Sequence, residues 1–304
     1  MLRRTSVLAT VALALSVLAA TDAVATAQRT FVASYGNDAN PCSLTLPCRA
    51  FAAAIAQTAD GGEVIVLDSA GYGPVTITQS ASIIAPAGVY AGVSVTSGDG
   101  ILVTGVGIVV TLRGLSITGT GFGIRNGINA THVGQLRLEG LHVSGFNIGN
   151  SYGLLVSAAG SSVTVTHSVF EGNFIGIESE PPMSSAVSIL IDDTALTQND
   201  AGYRSSGVGT TNAVITRSNA SANTTGFVVM GSATDTLALE GCVISNNYIY
   251  GVESTGAVVL SNNAITNNGT GVLVYLGTIE TRQNNTIRQN GTDIQGSLIN
   301  VSGN

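Results

Sequence analysis

Asn173-Phe-Ile-Gly-Ile, Asn199-Asp-Ala-Gly-Tyr, Asn223-Thr-Thr-Gly-Phe, Asn268-Gly-Thr-Gly-Val and Asn290-Gly-Thr-Asp-Ile are five copies of one phrase, and a sixth, one residue longer, runs from Asn247 to Val252. The Gly, replaced by Asp at the end, falls at 176, 202, 226, 251, 271 and 293, with earlier counterparts at Gly123 and Gly153. Successive marks are 30, 23, 26, 24, 25, 20 and 22 residues apart. Self-similarity at a period in the twenties signals a solenoid, in which each unit buries its apolar face only against its neighbours.

The residues before each Asn identify the unit. Val110-Thr-Leu, Leu136-Arg-Leu, Val163-Thr-Val, Ile189-Leu-Ile, Ala213-Val-Ile, Leu237-Ala-Leu and Val258-Val-Leu are alternating or wholly apolar and rich in β-branched side chains, which is strand chemistry. A second apolar pair follows within five residues, as in Leu115/Ile117 or Val243/Ile244, and a third short strand follows the Gly. No period leaves room for a helix of ten residues. A coil of three short strands climbing about 4.8 Å per turn is a parallel β-helix. Stacked at one corner, Asn173, Asn199, Asn223, Asn247, Asn268 and Asn290 are expected to form an amide ladder and to tolerate the left-handed backbone a tight corner needs. The other reading is that Asn simply marks polar turns.

The phrase at this period resembles the repeat of right-handed parallel β-helix proteins of the pectin-lyase-like superfamily, from about Glu63 onward. The entry segment, with Phe31-Val-Ala-Ser, Gly36-Asn-Asp-Ala-Asn-Pro41, Leu46-Pro-Cys-Arg49 and Gly61-Gly-Glu-Val-Ile-Val, is similar to the opening of secreted bacterial members of an uncharacterised subgroup. The expected fold is therefore all-β: a single-stranded right-handed parallel β-helix of roughly ten coils with an N-terminal capping helix. The resemblance implies no particular activity, because the scaffold carries lyases, hydrolases, epimerases and adhesins.

Composition agrees with one elongated domain. The 304 residues include 38 Gly, no Trp and 10% charged residues, which suits many tight corners around a narrow core. The mean hydropathy of +0.39 would suit a membrane protein, yet no apolar run after residue 20 approaches the length of a span. Arg3-Arg4, an apolar core from Val7 to Leu18 and the small-residue site Ala25-Thr-Ala27 read as an export signal over residues 1–27, with periplasm or outside medium as destination. The other reading is a retained anchor. The chain has no Lys and a formal charge of -7, a poor surface for nucleic acid or acidic lipid.

Residues 28–62 read as an N-terminal cap and 63–304 as the coil. Cys42 and Cys48 are expected to form a disulfide in an exported chain; the competing reading is a metal pair. From Pro47 to Thr58 the period turns helical, with Phe51 and Ile55 on one stripe, and this helix is expected to plug the open end of the coil. Cys242 reads as packing. After Ile294 no second helix follows, so the thinly covered C-terminal end offers strand edges to a second copy.

Aligning coils on the phrase places His167, Asp193 and Arg217 in one outward column with Asp192 beside it. A carboxylate between an imidazole and a guanidinium can take a proton from a sugar carbon or from water. The alternative is a cross-strand ion-pair ladder. The polysaccharide-active members that the resemblance brings in use Asp clusters with Ca²⁺, a basic side chain or a local His motif; here there is no Asp-rich calcium loop, no Lys and no Asp-Pro-His triplet. No cofactor is evident, and Ca²⁺ enters only if the protein is an enzyme on an acidic polysaccharide. Tyr203, Tyr248 and Tyr250, with Tyr152, are candidate stacking surfaces for sugar rings. Glu171, Glu178 and Glu180 read as a solvated lip beside Pro181-Pro182. Two functions result: an exported rod that binds a polysaccharide or surface protein without turnover, favoured because no complete catalytic set is present, and a lyase, hydrolase or epimerase of an acidic glycan working around Asp193.

Overall fold

A computed structural model describes residues 26–302. All but the last two residues of the expected export signal lie outside them. Over the described residues the chain winds as a right-handed parallel β-helix with three sheets, one of twelve strands and two of ten. Sheet 1 is the twelve-stranded one, sheet 2 the ten-stranded one that includes Tyr152–Val156 and Ile175–Ser179, and sheet 3 the other. Each strand pairs in parallel with its counterpart one coil away, as in Val163↔Ile189 and Ile189↔Ala213 of sheet 1.

Along most strands alternate side chains enter one continuous core, which runs from Val32 through Leu112, Val165 and Ile215 to Ile279. The phrase explains its own composition. Asn173, Asn199, Asn223, Asn247 and Asn268 are buried, and each Oδ1 accepts from the backbone N–H of the residue one coil before; for Asn223 the donor is Asn199, at 2.9 Å. Each Nδ2 donates to the next Asn Oδ1 and to a core-strand carbonyl; Asn223 reaches Asn247 Oδ1 at 3.1 Å and the Leu196 carbonyl at 2.9 Å. The stack closes at Asn290, whose N–H and Nδ2 both donate to Asp293 Oδ1.

The Gly of the phrase serves close approach. A Cβ at Gly176, Gly226 or Gly251 would lie 2.5 Å from the carbonyl oxygen of the equivalent Gly on the following coil. Asp293 stands at this position where the following strand, Ile299–Asn300, already belongs to sheet 1, and its carboxylate supplies the acceptor of the missing Asn. The ladder Asn residues do not take the left-handed backbone. That falls one residue earlier, at Gly172, Gln198, Ala222, Asn246, Asn267 and Gln289, with φ of 56 to 63°.

Cys42 and Cys48 are joined in a disulfide, and Cys242 is a buried free thiol. The helix is shorter than the periodicity predicts, Phe51–Gln57. Pro47 lies outside it because its carbonyl accepts from the Asn37 N–H and Asn40 Nδ2, while Asp38 Oδ1 takes the Arg49 and Ala50 N–H groups. Phe51, Ala54 and Ile55 are buried, and Phe51 packs on Tyr72 with ring centroids 5.1 Å apart. Strand Ala27–Val32 joins sheet 1 beside Thr58–Val66 and forms its first rung. At the other end, Thr292–Gln295 and Ile299–Asn300 are exposed along their length.

Candidate functional site

His167, Asp193 and Arg217 follow the last residues of successive sheet 1 strands, Thr166, Asp192 and Thr216, which pair in register. Their column is a left-handed corner: φ is 51° at His167 and 46° at both Asp193 and Arg217, with Gly114, Gly140, Gly241 and Asn262 in the same conformation on other coils. This accounts for the Gly and Asn in that column, and it turns the three side chains outward.

The column is divided. His167 Nε2 lies 3.5 Å from Asp193 Oδ2, with both side chains more than 60% exposed. Arg217 does not flank Asp193; it donates to Asp192 Oδ2, whose other oxygen accepts from Thr216 Oγ1 at 2.6 Å. The three residues border an open depression of about 320 Å³. The corner is a wet surface pair and a separate ion pair. Exposed pairs of this kind contribute little to stability.

The aromatic candidates separate too. Tyr203 is fully buried in the core between Ile177 and Phe227 of neighbouring coils, so no ligand can stack on it. Its strand alternates, and residue 203 falls on the inward side. Tyr248 is 83% exposed and Tyr250 half-buried, on the turn and strand after Asn247. Tyr152 is buried under Phe174, ring centroids 6.4 Å apart.

That last pair marks a feature the sequence reading missed. Glu178 is no part of a solvated lip. It lies in the outer column of sheet 2, where Asn129, Leu155, Glu178, Arg204, Val228 and Glu253 face one another coil by coil. The outer side of this sheet carries its own apolar cluster, Tyr152, Ile175, Ala201 and Val228, with Leu155 and Phe174 packed against it. Glu178 sits in this cluster at 0% exposure. Arg204 Nε donates to Glu178 Oε2 at 2.7 Å, and Ser206 Oγ donates to Glu178 Oε1. The Arg204 guanidinium also stands 6.0 Å from the Phe174 ring centre.

Burial pushes the Glu178 carboxyl up to about 7, against the pull of Arg204 and the hydrogen bond from Ser206. Burial, then the charges of Glu178 and Glu180, raise the Tyr152 hydroxyl in turn. Glu178 and Arg204 each stand two residues after the Gly of their phrase, so a column read at that offset would have shown acid beside base. At the N-terminal end of the same face, Asp99 accepts from Asn126 Nδ2 at 2.8 Å and Asn129 Nδ2 at 2.9 Å. Asp99 also lines a depression of about 380 Å³ with Pro74, Thr76 and Leu102.

A second inward stack was missed as well. Ser168, Ser218, Asn263 and Asn285 repeat at the corner after sheet 1 and accept the N–H of Leu141, Thr194, Cys242 and Asn263 in turn. Cys242 occupies one rung of it. Among the described residues, no group of three or more His, Cys, Asp or Glu is placed to hold a metal ion.

Residues 99–257 match the family described as right handed beta helix region. No curated protein matches the chain. Among solved structures, a pectate lyase, Pel9A, superposes with a TM-score of 0.69 at 18% identity, covering 90% of this chain and 80% of that one. A rhamnogalacturonan lyase does so with a TM-score of 0.59 at 12% identity, covering 79% and 74%. At such identities the likeness is one of fold. The family match spans more than half of the 304 residues, and the chain belongs to the right-handed β-helix family.

Proposed function

We propose that this protein is an exported, rigid rod that holds an extended carbohydrate along the outer face of sheet 2 without cleaving it. The observation that carries the reading is Glu178. Burial raises its proton affinity into the neutral range, and it is sealed: fully buried, with one oxygen on Arg204 and the other on Ser206. A general acid or base must reach the proton it moves. Glu178 instead fixes Arg204, whose side chain stays partly exposed over the half-buried Phe174 ring. A planar ring and a held guanidinium, set among apolar side chains, make a surface suited to the faces of sugar rings and to their hydroxyls. The two solved structures that this fold resembles are named pectate lyase and rhamnogalacturonan lyase, which supports a saccharide over other polymers. Export is supported by the basic and apolar N-terminal pattern and by the Cys42–Cys48 disulfide.

A second reading, turnover of an acidic glycan at the corner, rests on the His167–Asp193 contact. One experiment separates the two. The purified protein is incubated with pectate, rhamnogalacturonan and neutral polymers, with and without Ca²⁺, while retention on the polymer and release of unsaturated or reducing ends are followed. Retention without product supports the rod. Product formation lost in Asp193→Asn supports the enzyme and overturns the rod.

A further inference from the structure

The outer face of sheet 1 carries a pattern that saccharide binding on sheet 2 does not use. Its central column runs in unbroken register from Arg137 through Thr164, Leu190, Val214, Ala238 and Val259 to Glu280. Charge stands only at the two ends, and among the described residues neither Arg137 nor Glu280 is in a salt bridge. Between them lie exposed Leu190 (41%) and Val214 (44%), bordering a mostly apolar depression of about 370 Å³. The flanking column, from Gln135 through Ser188 and Asn212 to Thr278, is uncharged throughout.

We propose that this face pairs with the same face of a second copy of the chain, about a two-fold axis that runs parallel to the strands between the two faces, with Val214 of each copy on either side of it. Such an axis reverses the direction of the rod and keeps the column in line with itself. Arg137 of each copy then meets Glu280 of the other, large Leu190 meets small Ala238, Thr164 meets Val259, and Val214 meets Val214. A two-fold interface must be self-complementary in this sense, residue i against j and j against i. A positive end, an apolar middle with large opposite small, and a negative end meet that condition in one column. In the neighbouring column the same axis sets Asp192 opposite Glu240 of the other copy; Asp192 enters that contact already neutralised by its own Arg217. Seven strands at about 4.8 Å and five residues at about 3.3 Å give a footprint of about 550 Å² per copy. That is at the small end of specific interfaces and makes the dimer concentration-dependent.

Sedimentation of the folded protein from about 1 to about 300 µM tests this, with circular dichroism as a folding control, since the altered side chains are exposed or half-exposed. The wild type is expected to shift from monomer to dimer, less so in high salt. Val214→Arg places like charges on the axis and should leave only monomer. Arg137→Glu and Glu280→Arg should each weaken the dimer at least about tenfold, and the double reversal should recover it to within about threefold, because the swapped pair still matches. A wild type that stays monomeric throughout, or single reversals that the double does not rescue, overturns the proposal.

Discussion

Replacing Asn223 by Ala tests the ladder where it is most enclosed. Asn223 is 2% exposed and its amide serves three neighbours. Its Oδ1 holds the Asn199 N–H at 2.9 Å and Asn199 Nδ2 at 3.2 Å, while its Nδ2 holds the Leu196 carbonyl at 2.9 Å and Asn247 Oδ1 at 3.1 Å. Asn247 Oδ1 keeps a donor in the Asn223 backbone N–H. The Asn199 N–H, one proton of Asn199 Nδ2 and the Leu196 carbonyl are left without partners in a buried corner. Each orphaned group costs about 1 to 3 kcal/mol, so the loss from the three should be about 3 kcal/mol or more. Asn290→Ala removes an equivalent amide at the half-buried end of the stack, where water can substitute, and should cost about 1 kcal/mol. Urea unfolding followed by far-ultraviolet circular dichroism gives the difference, and amide exchange at Asn199 reports it locally if the coil does not unfold as one unit. If Asn223→Ala costs under about 1 kcal/mol, or no more than Asn290→Ala, these asparagines are polar turn residues and the ladder argument fails.

Three further outcomes follow from packing and charge. Phe51→Asp sets an unpaired carboxylate against the Tyr72 ring at the sealed end and should cost about 4 kcal/mol or more, read as a large fall in melting temperature; an unchanged value would remove the plug. Ala222 takes φ of 56°, where a Cβ is strained, so Ala222→Gly should raise stability by about 1 kcal/mol in the same urea assay, and a destabilised variant would contradict that account. The raised Glu178 carboxyl binds its proton more tightly in the folded chain, so its stabilisation is complete below about pH 4.5 and is lost as pH rises towards about 7. Asp235, also raised by burial, acts with the same sign, whereas Asp68, lowered chiefly by hydrogen bonds from Ser34 and Tyr72, opposes it only at lower pH. Melting curves between pH 4.5 and 8 should therefore show the wild type losing up to about 3 kcal/mol with rising pH, and Glu178→Gln a flatter profile; equal slopes would place the titration elsewhere.

The coil was legible because its constraint is periodic. A Gly whose Cβ would strike the next coil, and an Asn whose amide bonds to its own copies, must recur at each turn, and recurrence is what a lone sequence displays. Even the column assignments at the end of sheet 1 could be read, since Thr166, Asp192 and Thr216 pair in the predicted register. Which partner a side chain chooses is another matter. Arg217 and Asp193 are neighbours in the column, yet the left-handed corner aims Arg217 at Asp192. Tyr203 and Arg204 are adjacent in sequence and fall on opposite sides of one strand. The helix began late because Asp38 and Asn40, remote in sequence, hold the backbone around Pro47 and Arg49.

The proposed working face is tested most directly by comparing Phe174→Ala with His167→Ala for retention on whichever polymer holds the wild type. Phe174 lies against Arg204 on sheet 2, and His167 on the exposed corner. Removing one stacking ring should weaken retention about tenfold or more, with no product released by either protein. Retention lost in His167→Ala and kept in Phe174→Ala would contradict the account.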